Sequence, residues 1–127
     1  MSNVDSINRL IDELENDEEM VFMKEESGLE EADEKAIIES FTRRANLFDN
    51  SGIFIPYEEW KEIFFQVADL VTFTDYQDNG EVRPKAENLI PETVNSTILE
   101  RASVKIPEDI FSELEDENEL GGGGRHF

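Results

Sequence analysis

Residues 56–71 read PYEEWKEIFFQVADLV. Trp60, Ile63, Phe64, Val67, Ala68 and Val71 recur at intervals of three and four, the spacing that lines one face of a helix. Phe65 and Leu70 widen that stripe, and Pro56 suits a first helical position because its missing N–H would have no intrahelical partner there. The stripe is the strongest apolar pattern in the chain and predicts a central, well-buried helix. Its partners should be found on either side.

Upstream, Ala36, Ile37, Phe41, Ala45 and Phe48 have the same spacing. Ser27 followed by Glu30 has the form of a capping box, which predicts a helix from there to about Leu47. Glu30, Glu31, Asp33 and Glu34 suit its positive end, and Arg43 and Arg44 its negative end. Trp60, Phe64 and Val67 are expected to pack on Ile37 and Phe41. Between the two helices FDNSG reads as a turn and IFI as a short strand. At the N-terminal end Ile7, Leu10, Ile11 and Leu14 predict a further helix, with Asp5 or Ser6 as its cap. Beyond Glu15 the pattern dissolves into ENDEEMVFMKEESG, so residues 15–27 are expected to be a linker or arm.

Downstream of Val71 the pattern shifts towards a strand and DNG supplies a turn, which predicts a β-hairpin near 71–83. Pro91 then suits a helix start, with Val94, Ile98, Leu99 and Ala102 at helical spacing. SVKI reads as a short strand, and Pro107 opens a last helix using Ile110, Phe111 and Leu114. The expected fold is mainly α, a small domain of four to five helices with one hairpin and extended termini. Residues 1–120 form a single acidic helical domain in this reading, and 121–127 a flexible C-terminal tail.

The totals agree with one modest core. The chain has 127 residues, 38% of them hydrophobic and 34% charged, with nine phenylalanines and one tryptophan for bulk. No cysteine is present, which excludes disulfides, thiolate metal sites and cysteine nucleophiles. No apolar run has the length of a membrane span. MSNVDSINRL has no basic region leading into an apolar one, so a cytoplasmic or virion location is expected.

Charge is the dominant signal. Thirty-two acidic residues against 11 basic ones give a net charge of -21. That disfavours nucleic acid as a direct ligand, since binding it requires cations that displace its counterions. An anionic membrane surface is disfavoured for the same reason. Three readings fit: adaptation to high salt, where self-repulsion is screened; imitation of a nucleic acid in another protein's basic groove; and an acidic surface with partly disordered segments. Lysine is scarce, at five residues, which favours high salt. Isoleucine, at eleven, outnumbers alanine, at six, which runs against it.

Candidate sites are few. In DYQDNGEVRPKAE, Asp75 as position one of a calcium loop puts Gln77 at three, Asn79 at five, Gly80 at six and Val82 at eight. The twelfth position, where a bidentate glutamate belongs, is Ala86, and Glu87 comes one residue late. Pro84 also stands where the exiting helix should begin, so a hairpin turn at Asn-Gly is the simpler reading. A similar run, LFDNSGIFIPYEE, spaces Asp49 and Gly52 too closely for such a loop. A serine–histidine–acid triad would need His126, the only histidine, which lies beyond four glycines that cannot hold it in register. No phosphate-cradling glycine loop precedes a helix. With so many carboxylates, no acidic pair singles itself out for glycosidase chemistry.

The terminal GGGGRHF has a different character. Gly121, Gly122, Gly123 and Gly124 read as a tether and Arg125, His126 and Phe127 as a cationic, aromatic docking tip. The expectation is a non-enzymatic structural or connector subunit of a large assembly, most concretely a virion component from a salt-loving host. Its partners would be protein subunits of the same assembly, with no cofactor, no direct nucleic acid and no membrane. The alternatives are an acidic nucleic-acid mimic, built on the carboxylates of residues 12–34, and, more weakly, a calcium-binding module.

Overall fold

The computed structural model describes residues 2–77 and 86–112. Five α-helices follow one another: α1 (Asn3–Asn16), α2 (Glu18–Ser27), α3 (Glu31–Ser51), α4 (Tyr57–Gln77) and α5 (Ala86–Arg101). A 3-10 turn at Glu108–Phe111 closes the series. Among the described residues there is no strand. The expectation of a mainly helical small domain therefore holds, and the strand readings do not.

The hairpin near 71–83 is corrected by the length of α4, which runs through residues 71–77 without a break; the remainder of that stretch lies outside the described residues. Val71 is buried in the same core as Val67, as the last member of the helical stripe rather than the first of a strand. IFI and SVKI are irregular connections. Their apolar side chains are drawn inward singly: Ile55 and Ile106 are buried and Phe54 is exposed.

The aromatic centre of the core lies between α3 and α4, as the two stripes predict. Phe41, Phe48, Trp60 and Phe64 are fully buried. The Phe41 ring lies 5.2 Å from Trp60 and 6.1 Å from Phe64, the latter edge to face. Phe48 stacks on Trp60 at 6.2 Å and meets Phe111 of the 3-10 turn at 5.9 Å. Such offset and edge-to-face pairs exploit the ring quadrupole beyond simple burial. Helix α1 adds Ile7, Leu10 and Leu14, and α5 adds Ile90, Val94 and Ile98. Helix α5 begins before Pro91, which stands inside it, where proline removes one backbone donor from the ladder.

Local caps differ from the expected ones. Ser2 caps α1, in a reciprocal box with Asp5. Ser27 belongs to the end of α2 and α3 starts at Glu31, so Ser27 and Glu30 form no capping box. Pro56 precedes α4, and its carbonyl accepts from Glu59 and Trp60.

Residues 15–27, read above as a linker or arm, are the end of α1 followed by α2. Asp17 is the reason. Its carboxylate accepts the Met20 amide at 3.1 Å, which satisfies one of the orphan donors of a helix start. Gly28, at φ 77°, ends α2 in the left-handed conformation that only glycine adopts without strain.

Candidate functional site

Three polar constellations link the helices. At the first, Asn3 is fully buried at the start of α1. Its Nδ2 donates to Asp49 Oδ1 at 2.8 Å and to the Ile53 carbonyl at 2.6 Å. Its Oδ1 accepts from the Ile55 amide at 2.8 Å and the Trp60 indole at 3.3 Å. Asp49, at the end of α3, also accepts the Asn3 backbone amide at 2.9 Å. One amide side chain thus ties α1, the α3–α4 connection and α4 together, with both of its polar atoms satisfied.

At the second, Arg44 of α3 is buried at 1% exposure. Its Nε donates to Asn95 at 2.7 Å, and its other nitrogens to the carbonyls of Ser40 at 3.0 Å and Pro91 at 3.4 Å. The planar guanidinium suits this role because it donates in several fixed directions. It bridges α3 to α5.

At the third, Tyr57 donates to Glu13, Arg9 bonds Glu13 at 3.0 Å, and the Arg9 guanidinium lies 4.0 Å above the Tyr57 ring. The Tyr57 bond, then the Arg9 bond, hold the Glu13 carboxyl below its usual range. Burial, then the neighbouring carboxylate, push the Tyr57 hydroxyl well up. Arg9 is raised, chiefly by its bond to Glu13. A carboxylate held ionised and a phenol held neutral are poor candidates for proton transfer near neutral pH. All three constellations therefore read as fasteners between helices.

The described residues hold no group of three or more histidine, cysteine or acidic side chains placed to bind a metal. Of the calcium-loop residues, Asp75 and Gln77 lie in the last turn of α4 and Glu87 in the first turn of α5, while Asn79 lies outside the described residues. Gly121, Gly122, Gly123, Gly124, Arg125, His126 and Phe127 are also outside them. No helix among the described residues is long and apolar enough to cross a membrane.

The outer face of α2 carries two neighbouring exposed apolar side chains. Met20 is buried, yet Phe22 is 61% exposed and Met23 38% exposed. Successive residues of a helix point about 100° apart, so the run Met20, Val21, Phe22, Met23 faces every side of α2. Glu18, Glu19, Glu25 and Glu26 are all exposed. They stand at i-4, i-3, i+3 and i+4 from Phe22, which makes them its immediate neighbours on the helix surface. The structure thus sets an aromatic side chain inside a ring of four carboxylates.

Helix α2 is held firmly for its length. Besides the Asp17 and Gly28 caps, Lys24 Nζ reaches the Leu14 carbonyl and Glu34, both at 3.3 Å. The sequence carried this signal in Asp17, two acids in the first turn and Gly28 past the end, but an apolar run without period hid it. No protein-family model, no curated protein and no solved structure matches this chain.

Proposed function

We propose that this chain is a non-enzymatic connector subunit of a larger protein assembly, and that α2 is one of its contact surfaces. The observation that carries the reading is a short helix, capped at both ends and anchored by Met20, that holds Phe22 and Met23 out to solvent. A helix of this length is marginal alone, so its fasteners serve a presented face. Aromatic residues and methionine are also the residue types enriched where proteins meet. Residues 121–127 would supply a second contact, with Phe127 as apolar anchor and Arg125 as a cation.

A virion particle from a salt-loving host is the most concrete setting, supported by the net charge of -21 and the scarcity of lysine. Melts in rising KCl check the salt half of that proposal. Screening of self-repulsion should raise the melting temperature from low to molar salt; a flat or falling curve removes the salt-loving host.

Purification of the tagged chain from its native source at native salt, followed by mass spectrometry, tests the connector reading. A stoichiometric set of companions is expected with the wild-type chain, and its loss with the Phe22→Ala, Met23→Ala double variant. Companions that ignore both substitutions would remove α2 from the reading, and no companions at all would end it. Nucleic-acid mimicry is the second reading, favoured by the four exposed glutamates of α2. It has less support because Phe22 places apolar surface at the centre of that ring, where a phosphate backbone has none.

A further inference from the structure

We infer that the face of α2 centred on Phe22 binds a basic, apolar-containing segment of a partner protein; the inference rests on the connector reading above and names the chemistry of one partner. The starting point is a mismatch between the helix and its cover. Helix α2 packs on α1 and α4 with Met20 buried, while Phe22 and Met23, the other large apolar residues of the helix, stand exposed among glutamates. The missing cover must accept an aromatic ring at its centre and four carboxylates around it.

Charge decides what that cover is. A second copy of this chain, placed face to face, would set one glutamate ring against another and bring two chains of net charge -21 together. The chain's own residues 113–127 carry five acids, Glu113, Glu115, Asp116, Glu117 and Glu119, against the single cation Arg125, so the same ring repels that segment on balance. Lysine or arginine side chains from a partner meet both demands. Their heads reach the glutamates, their methylenes lie along the ring, and an arginine can stack on the Phe22 face. An apolar residue between two such cations would fill the space beside Phe22 and Met23. Within α2 the only cation, Lys24, is engaged with Leu14 and Glu34 on the inner side, so the ring carries no internal neutralisation.

Fluorescence anisotropy tests this with a labelled helical peptide of lysine, arginine and leucine, its leucines at i, i+3, i+4 and i+7. The wild-type chain should bind it with an affinity that falls as salt rises. Phe22→Ala should weaken binding about tenfold or more, as loss of a central aromatic anchor does. Replacing Glu18, Glu19, Glu25 and Glu26 together by Gln should abolish it. The control variant replaces Glu39, Glu58, Glu92 and Glu100 by Gln, all exposed and all on other helices. It changes the net charge equally and should leave affinity within about twofold. Circular dichroism confirms that each variant keeps its helices.

Equal losses in the two quadruple variants would reduce the effect to bulk charge and overturn the inference. So would an unchanged affinity of Phe22→Ala, or an oligoarginine without leucine binding as well as the probe. A wild-type dimer in sedimentation that Phe22→Ala dissociates would assign the face to a second copy instead. A benzophenone amino acid in place of Phe22 separates this inference from the connector reading. Cross-linking in the native extract to a lysine- or arginine-rich segment supports both. Cross-linking to a segment without such a run leaves the connector standing and ends the basic-partner inference; no cross-linked protein ends both.

Discussion

The α3–α4 interface and the outer face of α2 use the same materials, phenylalanine among glutamates on a helix, with opposite results. Along α3 and α4 the apolar residues keep one period, so Phe41, Phe48, Trp60 and Phe64 converge and are fully buried. The glutamates fall on the other side. Along α2 the apolar residues are consecutive, so only Met20 is buried and Phe22 is left among the acids. Period, not composition, decides whether a phenylalanine stabilises the fold or waits at its surface. Stability should therefore be concentrated in one region and contact capacity in the other.

The hardest test of that division is Phe64→Ala. Phe64 is fully buried and packs edge-on against both Phe41 and Phe65. Removing the ring should cost about 3–5 kcal/mol, the range for an aromatic deletion that leaves a cavity. Urea unfolding checks it through a lower midpoint at unchanged slope. A loss within error would mean that the α3–α4 interface does not carry the stability.

Next in size is Asn3→Ala, which strikes where α1 joins the aromatic core. It leaves the buried Ile55 amide without its acceptor and removes the bonds to Asp49 and Ile53. An expected cost of about 2 kcal/mol follows from stranding a buried donor, read by the same urea curves. A neutral result would show that the Asn3 side chain does not fasten α1 to the interior.

The two regions also differ in how far the sequence disclosed them. The four periodic helices were legible because burial on one face requires the three-four spacing of Ile37, Phe41, Ala45 and Phe48, or of Trp60, Ile63, Phe64 and Val67. Their ends were less so. Ser2 rather than Asp5 or Ser6 caps α1, since several short polar residues there could each do it. From Val71 on the sequence pattern shifts towards a strand, and tertiary context overrides such local preferences. In the sequence Arg44 shows only a charge suited to the negative end of a helix; the fold shows α5 supplying Asn95 and Pro91 to receive it. Helix α2 was missed because its caps mark a helix while its apolar run marks none. The contact face of Phe22 follows from that same lack of period.

A smaller effect is expected from Tyr57→Phe, between the two regions. Glu13 has a folded pKa below its unfolded value near 4.3. Its contribution is present above that value and is lost as pH falls through the folded pKa. Tyr57 has a folded pKa above its unfolded value near 10. Its contribution is complete below that value and is lost as pH rises beyond it. The variant removes the shared hydrogen bond. It should cost about 1 kcal/mol near neutral pH and flatten the decline of stability on both the acid and alkaline sides. Urea midpoints across pH check it; an unchanged acid limb would show that Arg9 alone depresses Glu13.

The smallest expected effect is the most informative about α2. Phe22→Ala removes the most exposed large apolar side chain among the described residues, yet it should move unfolding stability by no more than about 0.5 kcal/mol. The ring is 61% exposed, so its deletion opens little cavity, and alanine is the better helix former. The Asp17 cap, the Gly28 turn and the Lys24 bonds all lie elsewhere on α2 and survive. Met20→Ala gives the contrast. It empties the one fully buried position of α2 and should release the helix from α1 and α4, seen as faster amide exchange across 18–27 with the aromatic core still protected. If Phe22→Ala instead lowers stability as much as Met20→Ala does, Phe22 is covered by this chain itself. The outer face of α2 then belongs to the core, and the contrast between the two regions fails.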